Sequence, residues 1–131
     1  MILLDTHIAL WLATERQTLT FREMSFLNDA GSDLRVSAVS LWELRIKWNS
    51  YFKSGEGKGR GDPSDVLGAL VRMNVGLIAL EPEHTTVPLI HPLDHKDPFD
   101  ELLLVQAQEL GLKLLTRDTK LRGHPLAYSP E

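Results

Sequence analysis

The stretch MILLDTH, residues 1–7, sets the architecture of this chain, and LKLLTRD, residues 112–118, repeats its layout near the other end. Each begins with a short apolar run that is typical of a buried strand and ends in polar residues that include Asp5 or Asp118. In an open parallel α/β sheet, ligands and reactive groups gather at the carboxyl ends of the strands. We therefore expect these two carboxylates to share one site.

The bulk composition favours one globular domain that spans residues 1–131. Hydrophobic residues make up 43% of the chain and charged residues 24%, and no apolar run is long enough to cross a bilayer. The start lacks the pattern of a signal peptide, so we expect a cytoplasmic protein with no membrane contact. The absence of cysteine excludes disulfides and thiolate metal sites, which leaves carboxylate, carbonyl or imidazole ligands.

The net charge of −4 argues against a general nucleic-acid coat, but basic residues are concentrated between Leu44 and Gly61. Only Glu56 is acidic in this stretch. Two interpretations stay open, a solvated loop and a surface that grips a polyanion. The basic residues are Arg45, Lys47, Lys53, Lys58 and Arg60.

The pattern along the chain predicts strands that alternate with helices, which indicates a short, mostly parallel sheet with helices on both faces. Further strands are expected at 34–36, 76–80 and 112–115, with a possible edge strand at 126–128. Helices are expected from Ile8 onward, over 18–33, from Ser37 or Ser40 to about Tyr51, from Asp62 or Ser64 to about Asn74, and over 99–110. The helix from Ser37 or Ser40 carries Trp42, Leu44, Ile46 and Trp48, so we expect it to be largely buried.

Four acids are candidates for one cleft, and each has a structural alternative. Asp5, Asp100 and Asp118 stand where they could cap helices, and Glu43 could form an ordinary i,i+4 pair with Lys47. Together, however, carboxylates in one cleft repel each other and must be neutralised by shared protons, by lysine or arginine, or by a divalent cation. Oxygen ligands without cysteine suit Mg²⁺ or Mn²⁺, and such an ion can promote attack of water on a phosphodiester.

The histidines indicate less. His91 and His95 are four residues apart, but Pro92 disfavours the helix that a zinc pair at this spacing needs. His7 could assist the cleft because it follows Asp5 closely, although packing is the simpler role. No HExxH motif is present.

Four motifs, in order along nearly the whole chain, give a sequence that resembles the PIN-domain ribonucleases, specifically the toxin subunits of VapBC-type toxin–antitoxin modules. The motifs are LLDTH at 3–7, SAVSLWE at 37–43 with Lys47 after it, DPFD at 97–100, and TRD at 116–118.

The resemblance implies an Mg²⁺- or Mn²⁺-dependent endoribonuclease, a cognate antitoxin that occludes the cleft, and a homodimer. The implied catalytic and metal-binding acids are Asp5, Glu43, Asp100 and Asp118. The supporting positions are Thr6, Asp97 and Thr116, with a turn before Pro98 as the alternative for Asp97. The candidate RNA contacts are Lys47, Lys53, Lys58, Arg60 and Arg117.

One residue departs from the family pattern, because Glu101 follows the third acid where arginine is common. This change keeps open a catalytically silent interaction module with the same fold. A receiver-like signalling domain is a further alternative, but it needs paired acids after the first strand, where Asp5 is followed by Thr6 and His7. A phosphatase of the haloacid-dehalogenase type needs an acid at position 7 and is excluded by His7.

Overall fold

The computed structural model describes residues 1–53, the last three by backbone only, and residues 61–130. The described helices are α1 Thr6–Thr14, α2 Phe21–Ala30, α3 Ala38–Lys53, α4 Pro63–Arg72 and α5 Pro98–Leu110. The strands are β1 Ile2–Leu4, β2 Leu34–Ser37, β3 Gly76–Ile78, β4 Lys113–Leu115 and β5 Ala127–Tyr128. Short 3-10 turns cover Arg16–Thr18, Gly31–Asp33 and Pro82–Thr85.

The five strands of the described residues form one parallel sheet in the order β3-β2-β1-β4-β5, with β1 at the centre. Successive side chains of a strand point to opposite faces of the sheet, and helices pack against both faces. Leu3 and Leu114 pack with α5, whereas Leu4 and Leu115 pack with α1, α2 and α4. The predicted parallel α/β architecture is confirmed, including β5 as an edge strand.

Helix ends explain where the predicted boundaries were wrong. The predicted helix over 18–33 is shorter, because the Thr20 side chain accepts a hydrogen bond from the Glu23 amide and starts α2 at Phe21. Gly31, with φ of +52°, ends it. The third strand stops at Ile78 instead of residue 80, and α4 ends at Arg72 instead of about residue 74.

Helix α3 was expected to be largely buried, and this was wrong for two of the four side chains on which the expectation rested, Trp42 and Ile46. Leu44 is buried, but Trp42 is 46% exposed and Ile46 is 40% exposed. The helix contacts α1, α4 and α5, and these contacts leave Trp42 and Ile46 partly exposed. Burial here depends on neighbours that the helical pattern does not identify.

The ends of α5 fix the last predicted helix. Asp97 caps it through the amides of Phe99 and Asp100, and Pro98 occupies its first position. Gly111, with φ of +69°, closes it in the left-handed conformation before β4. None of the helices in the described ranges is long and apolar enough to cross a membrane.

Candidate active site

Polar side chains from four elements meet at the carboxyl edge of the sheet. Asp5 directly follows β1, and Asp118 comes three residues after the neighbouring β4. Glu43 lies in the second turn of α3 and Asp100 in the first turn of α5. The placement agrees with the expected site at this edge, while the catalytic role of each acid stays a prediction.

Asp5 is buried, with 6% of its surface exposed, and is held by uncharged donors. Its Oδ1 accepts a hydrogen bond from the Thr6 amide at 2.8 Å, and its Oδ2 accepts one from the Thr116 hydroxyl at 2.6 Å. Burial raises the pKa of the carboxyl, and these hydrogen bonds only partly oppose the rise. The Asp5 carboxylate is therefore stabilised when it binds a proton or a cation.

Thr116 links the two aspartates at the ends of β1 and β4. Its hydroxyl donates to Asp5, and its Oγ1 accepts a hydrogen bond from the Asp118 amide at 3.0 Å. Asp118 Oδ1 in turn accepts a hydrogen bond from the Lys120 amide at 2.9 Å, which fixes the turn after the strand. Asp118 begins no helix in this part of the chain, so the helix-cap alternative for this residue was wrong.

Glu43 is buried and has two different partners. Its Oε1 accepts a hydrogen bond from the Thr6 hydroxyl at 2.6 Å, and its Oε2 lies 2.9 Å from the Lys47 ammonium. The predicted i,i+4 pair is therefore present, but Glu43 also joins the network that starts at Asp5. The Ser40 hydroxyl lies 3.0 Å from the Thr6 hydroxyl and completes the contact between α1 and α3.

Asp100 shows most directly that the acids share an electrostatic environment. Its pKa is raised to about 6, first by burial and then by repulsion from Asp97, Asp5 and Asp118. His95 opposes the rise, with its Nε2 at 3.0 Å from Asp100 Oδ2. The carboxylates are close enough to disfavour one another's charged form.

The donor set fits a hard divalent cation. Within residues 1–53 and 61–130, no three histidine, aspartate or glutamate side chains converge into a complete metal-binding group. Mg²⁺ does not need such a cage, because it keeps several waters and is commonly held by one or two carboxylates together with substrate phosphates. Oxygen donors whose pKa values are raised by burial and mutual repulsion are suited to it.

A cavity of about 210 Å³ opens beside Asp5 and Asp118. Its lining combines these two acids with aromatic, aliphatic and cationic side chains. The residues are Asp5, His7, Ile8, Trp11, Arg117 and Asp118.

Arg117, a candidate RNA contact, is engaged within the protein. Its Nε lies 3.0 Å from Glu23 Oε2, its Nη2 donates to the Thr18 carbonyl at 2.8 Å, and its Cζ lies 4.3 Å from the centre of the Trp11 ring. The ion pair with Glu23 lowers the pKa of that buried carboxyl. Lys47 is likewise paired with Glu43.

The remaining candidate RNA contacts, Lys58 and Arg60, lie outside the described residues, as does the side chain of Lys53. Their proposed contact with RNA stays a prediction.

The sequence did not identify His95 and Glu23 in the roles that the structure gives them. His95 was considered only as half of a zinc pair with His91, yet it contacts Asp100 while the His91 ring contacts His124. Glu23 had a signal, since Thr20 and Glu23 match the spacing of a capping box. Its second partner, Arg117, is 94 residues away and has no local signature.

Comparisons of sequence and structure with known proteins point to the same family. The model of the PIN domain family matches residues 2–125. Ribonuclease VapC22 from Mycobacterium tuberculosis is 29% identical over 126 residues, which cover 94% of this chain and 91% of that protein.

Two solved structures share the fold across the whole chain, each with a TM-score of 0.65. The VapBC2 complex from Rickettsia felis, bound to a DNA fragment from its promoter, is 14% identical and covered over its full length. A toxin–antitoxin complex from Klebsiella pneumoniae is 16% identical and covered over 98%. The resemblance inferred from the four sequence motifs is confirmed, and the chain belongs to the PIN domain family.

Proposed function

We propose that this protein is a metal-dependent endoribonuclease and the toxin of a toxin–antitoxin pair. The observation that carries the proposal is the group of acids at the carboxyl edge of the sheet, where Asp100 has a pKa of about 6 because burial and three neighbouring aspartates act on it. The similarity to Ribonuclease VapC22 supports RNA as the substrate.

In this proposal the four acids, Asp5, Glu43, Asp100 and Asp118, hold one or two Mg²⁺ or Mn²⁺ ions. When bound, such a cation supplies Lewis acidity toward a water molecule and toward the phosphate oxygens. The protein contributes the geometry, because Thr116 orients Asp5 and the loop before Asp118.

Further side chains position the acids of the neighbouring helices. Thr6 orients Glu43 through its hydroxyl, and His95 orients Asp100 through Nε2. Asp97 supports the site indirectly, since it caps α5 and thereby fixes the position of Asp100.

The proposed partners follow from the relatives of known structure. One solved neighbour is a VapBC2 complex and the other is a toxin–antitoxin complex, which supports a small cognate antitoxin as the partner of this chain. We further propose a homodimer of one-domain subunits that acts on RNA in the cytoplasm. Co-purification with the product of the adjacent reading frame tests the antitoxin assignment.

The alternative function is a catalytically silent module, and Glu101 is the observation that favours it. This exposed acid directly follows Asp100 in the first turn of α5, where it adds negative charge beside a site that must accept a phosphate. If the charge alone limits an active site, Glu101→Arg should increase RNA cleavage. If the module is silent, neither protein should cleave.

The test of the main proposal is cleavage of single-stranded and structured RNA by the purified protein. Cleavage should require Mg²⁺ or Mn²⁺ and stop in excess chelator. Full activity in chelator would remove the metal mechanism, and no cleavage with either ion would support the silent module.

A further inference from the structure

The cavity beside Asp5 and Asp118 has an aromatic wall. The His7 and Trp11 rings lie with their centroids 5.6 Å apart and their planes inclined at 34°. The Arg117 guanidinium lies over the Trp11 ring, with Cζ 4.3 Å from its centroid. Planar groups therefore line a space that opens directly onto two of the candidate catalytic acids.

The wall is held in place before any ligand arrives. His7 and Trp11 are four residues apart in α1 and so lie on the same face of the helix. Arg117 is fixed by Glu23 and by the Thr18 carbonyl, which connect it to α2 and the turn before it. Side chains fixed in this way lose little conformational freedom on binding, so they favour a ligand of matching shape.

The size and charge of the cavity select the kind of group that fits. At about 210 Å³ it is smaller than the roughly 300–1,000 Å³ pockets of drug-sized ligands, so it suits one planar ring system. The lining offers a phosphate no uncompensated cation of its own, because the charge of Arg117 is balanced by Glu23 and because Asp5 and Asp118 attract a phosphate only through a bound cation. An uncharged aromatic ring meets neither obstacle.

We propose that this cavity is a nucleobase subsite, in which the base next to the scissile phosphate stacks against the wall formed by His7, Trp11 and the Arg117 guanidinium that lies over Trp11. Unpaired RNA bases are commonly recognised by stacking on aromatic side chains and on arginine planes. The proposal rests on the proposed ribonuclease function and deepens it. It implies that the cleaved nucleotide lies in an unpaired segment, because a base within a duplex cannot enter the cavity.

The experiment combines a change in the protein with a change in the RNA. A single-stranded substrate with a mapped cleavage site is prepared with one abasic nucleotide at each position that flanks the scissile bond. Stacking of a base is worth a factor of about 5 to 150 in binding. For the unmodified protein, the abasic nucleotide at the bound position should raise KM by a factor in this range.

The protein variants show whether Trp11 is responsible. In Trp11→Leu, the intact substrate should already have the raised KM, and the abasic nucleotide should raise it no further. Trp11→Phe should keep part of the abasic effect because it retains a ring. Trp42→Leu is the matched control, since Trp42 is an exposed tryptophan on α3 outside this cavity, and it should retain the full effect.

A fluorescence measurement keeps the proposal testable if Trp11→Leu does not fold. In a protein with Trp42→Phe and Trp48→Phe, Trp11 is the remaining tryptophan, because the chain contains three. Binding of the intact RNA should quench its emission, and the abasic RNA should quench it less. Equal quenching, or an equal abasic effect in the unmodified protein and in Trp11→Leu, would overturn the subsite.

The failure of the subsite is distinct from failure of the proposed function. A protein that cleaves RNA with no abasic effect at any position is a ribonuclease without this subsite. A protein that cleaves no RNA with Mg²⁺ or Mn²⁺ removes the proposed activity itself.

Discussion

Asp5 and Glu23 are both carboxylates with little exposed surface, and the protein shifts their pKa values in opposite directions. Glu23 faces the Arg117 guanidinium, which lowers the pKa of its carboxyl, and its hydrogen bonds to Thr20 also start α2. Asp5 is held by the Thr6 amide and the Thr116 hydroxyl, and burial raises its pKa.

The difference teaches that burial alone does not identify a functional acid. A buried carboxylate that has a cation within the protein is already neutralised and serves to join elements, as Glu23 joins α2 to the loop after β4. A buried carboxylate with only uncharged donors retains a demand for positive charge. Asp5 is therefore the better candidate for a site that takes up a cation.

The largest expected effect is the loss of RNA cleavage on neutralising the acids at the sheet edge. Asp5→Asn and Asp118→Asn should each reduce kcat by at least about a hundredfold, the scale on which catalytic groups act. Both should fold normally or become more stable, because a charge is removed from a repulsive group. Single-turnover cleavage and thermal unfolding measure the two quantities.

Asp29→Asn is a control of the same chemistry on the exposed surface of α2, and it should leave cleavage unchanged. Near-normal cleavage by Asp5→Asn would show that Asp5, like Glu23, has a structural and not a catalytic role.

The second prediction concerns pH in the absence of divalent cations. Asp100 has a folded pKa of about 6 against 3.8 in a model peptide, so the folded state holds more protons than the unfolded state between these values. The free energy of unfolding should therefore fall as pH rises through this window, with Asp5 acting in the same direction. Glu23 acts oppositely, since its lowered pKa gives stability that is lost only as pH falls below about 4.5.

Thermal unfolding in chelator at about pH 5 and about pH 7 measures this dependence. Added Mg²⁺ should raise Tm more at the higher pH, where the carboxylates are charged. Asp100→Asn should flatten the profile between the two pH values. An unchanged slope in that variant would show that Asp100 does not titrate in this window.

The third prediction is that a change at Glu23 affects stability more than RNA cleavage. Glu23→Gln removes the charge that faces Arg117, and it should lower the free energy of unfolding by about 1–3 kcal/mol, as for lost hydrogen bonds to a charged group. The side chain of Arg117 is 37% exposed, and water therefore screens part of the effect. Urea unfolding measures the loss, and kcat should change less than in Asp5→Asn.

The sequence predicted the fold because its strongest signals are local. The apolar runs at both ends of the chain became the paired strands β1 and β4, and Gly111 marked the end of α5. Boundaries were less accurate where a side chain decided them, as Thr20 does for α2. The exposure of Trp42 was missed because the pattern shows that a helix face is apolar but not what covers it.

The sequence also placed the candidate acids at one edge, but it could not supply their partners. Parallel strands bring their carboxyl ends together, so Asp5 and Asp118 were expected to be neighbours. The hydrogen bond between Thr116 and Asp5 joins residues 111 positions apart, and its direction depends on side-chain geometry that no spacing encodes. Partner identity separates Asp5 from Glu23, and it becomes visible only in three dimensions.

The smallest expected effect tests an acid between these two extremes. Glu43 has a protein cation, Lys47, and an uncharged donor, Thr6. The Lys47 side chain is 44% exposed, so Lys47→Ala should lower the free energy of unfolding by only about 0.3–0.5 kcal/mol, as for other i,i+4 pairs.

Two roles of Glu43 predict different results. If Glu43 is a structural acid like Glu23, the folded state depends on its ion pair with Lys47, and the loss of unfolding free energy in Lys47→Ala should exceed about 1 kcal/mol. If Glu43 is a site acid like Asp5, Lys47→Ala should change the free energy of unfolding little, whereas Glu43→Gln should abolish RNA cleavage at nearly unchanged Tm. Urea unfolding of Lys47→Ala and RNA cleavage by Glu43→Gln decide between these roles. Only a carboxylate that takes part in catalysis should give a small loss of stability in the first variant and a large loss of cleavage in the second.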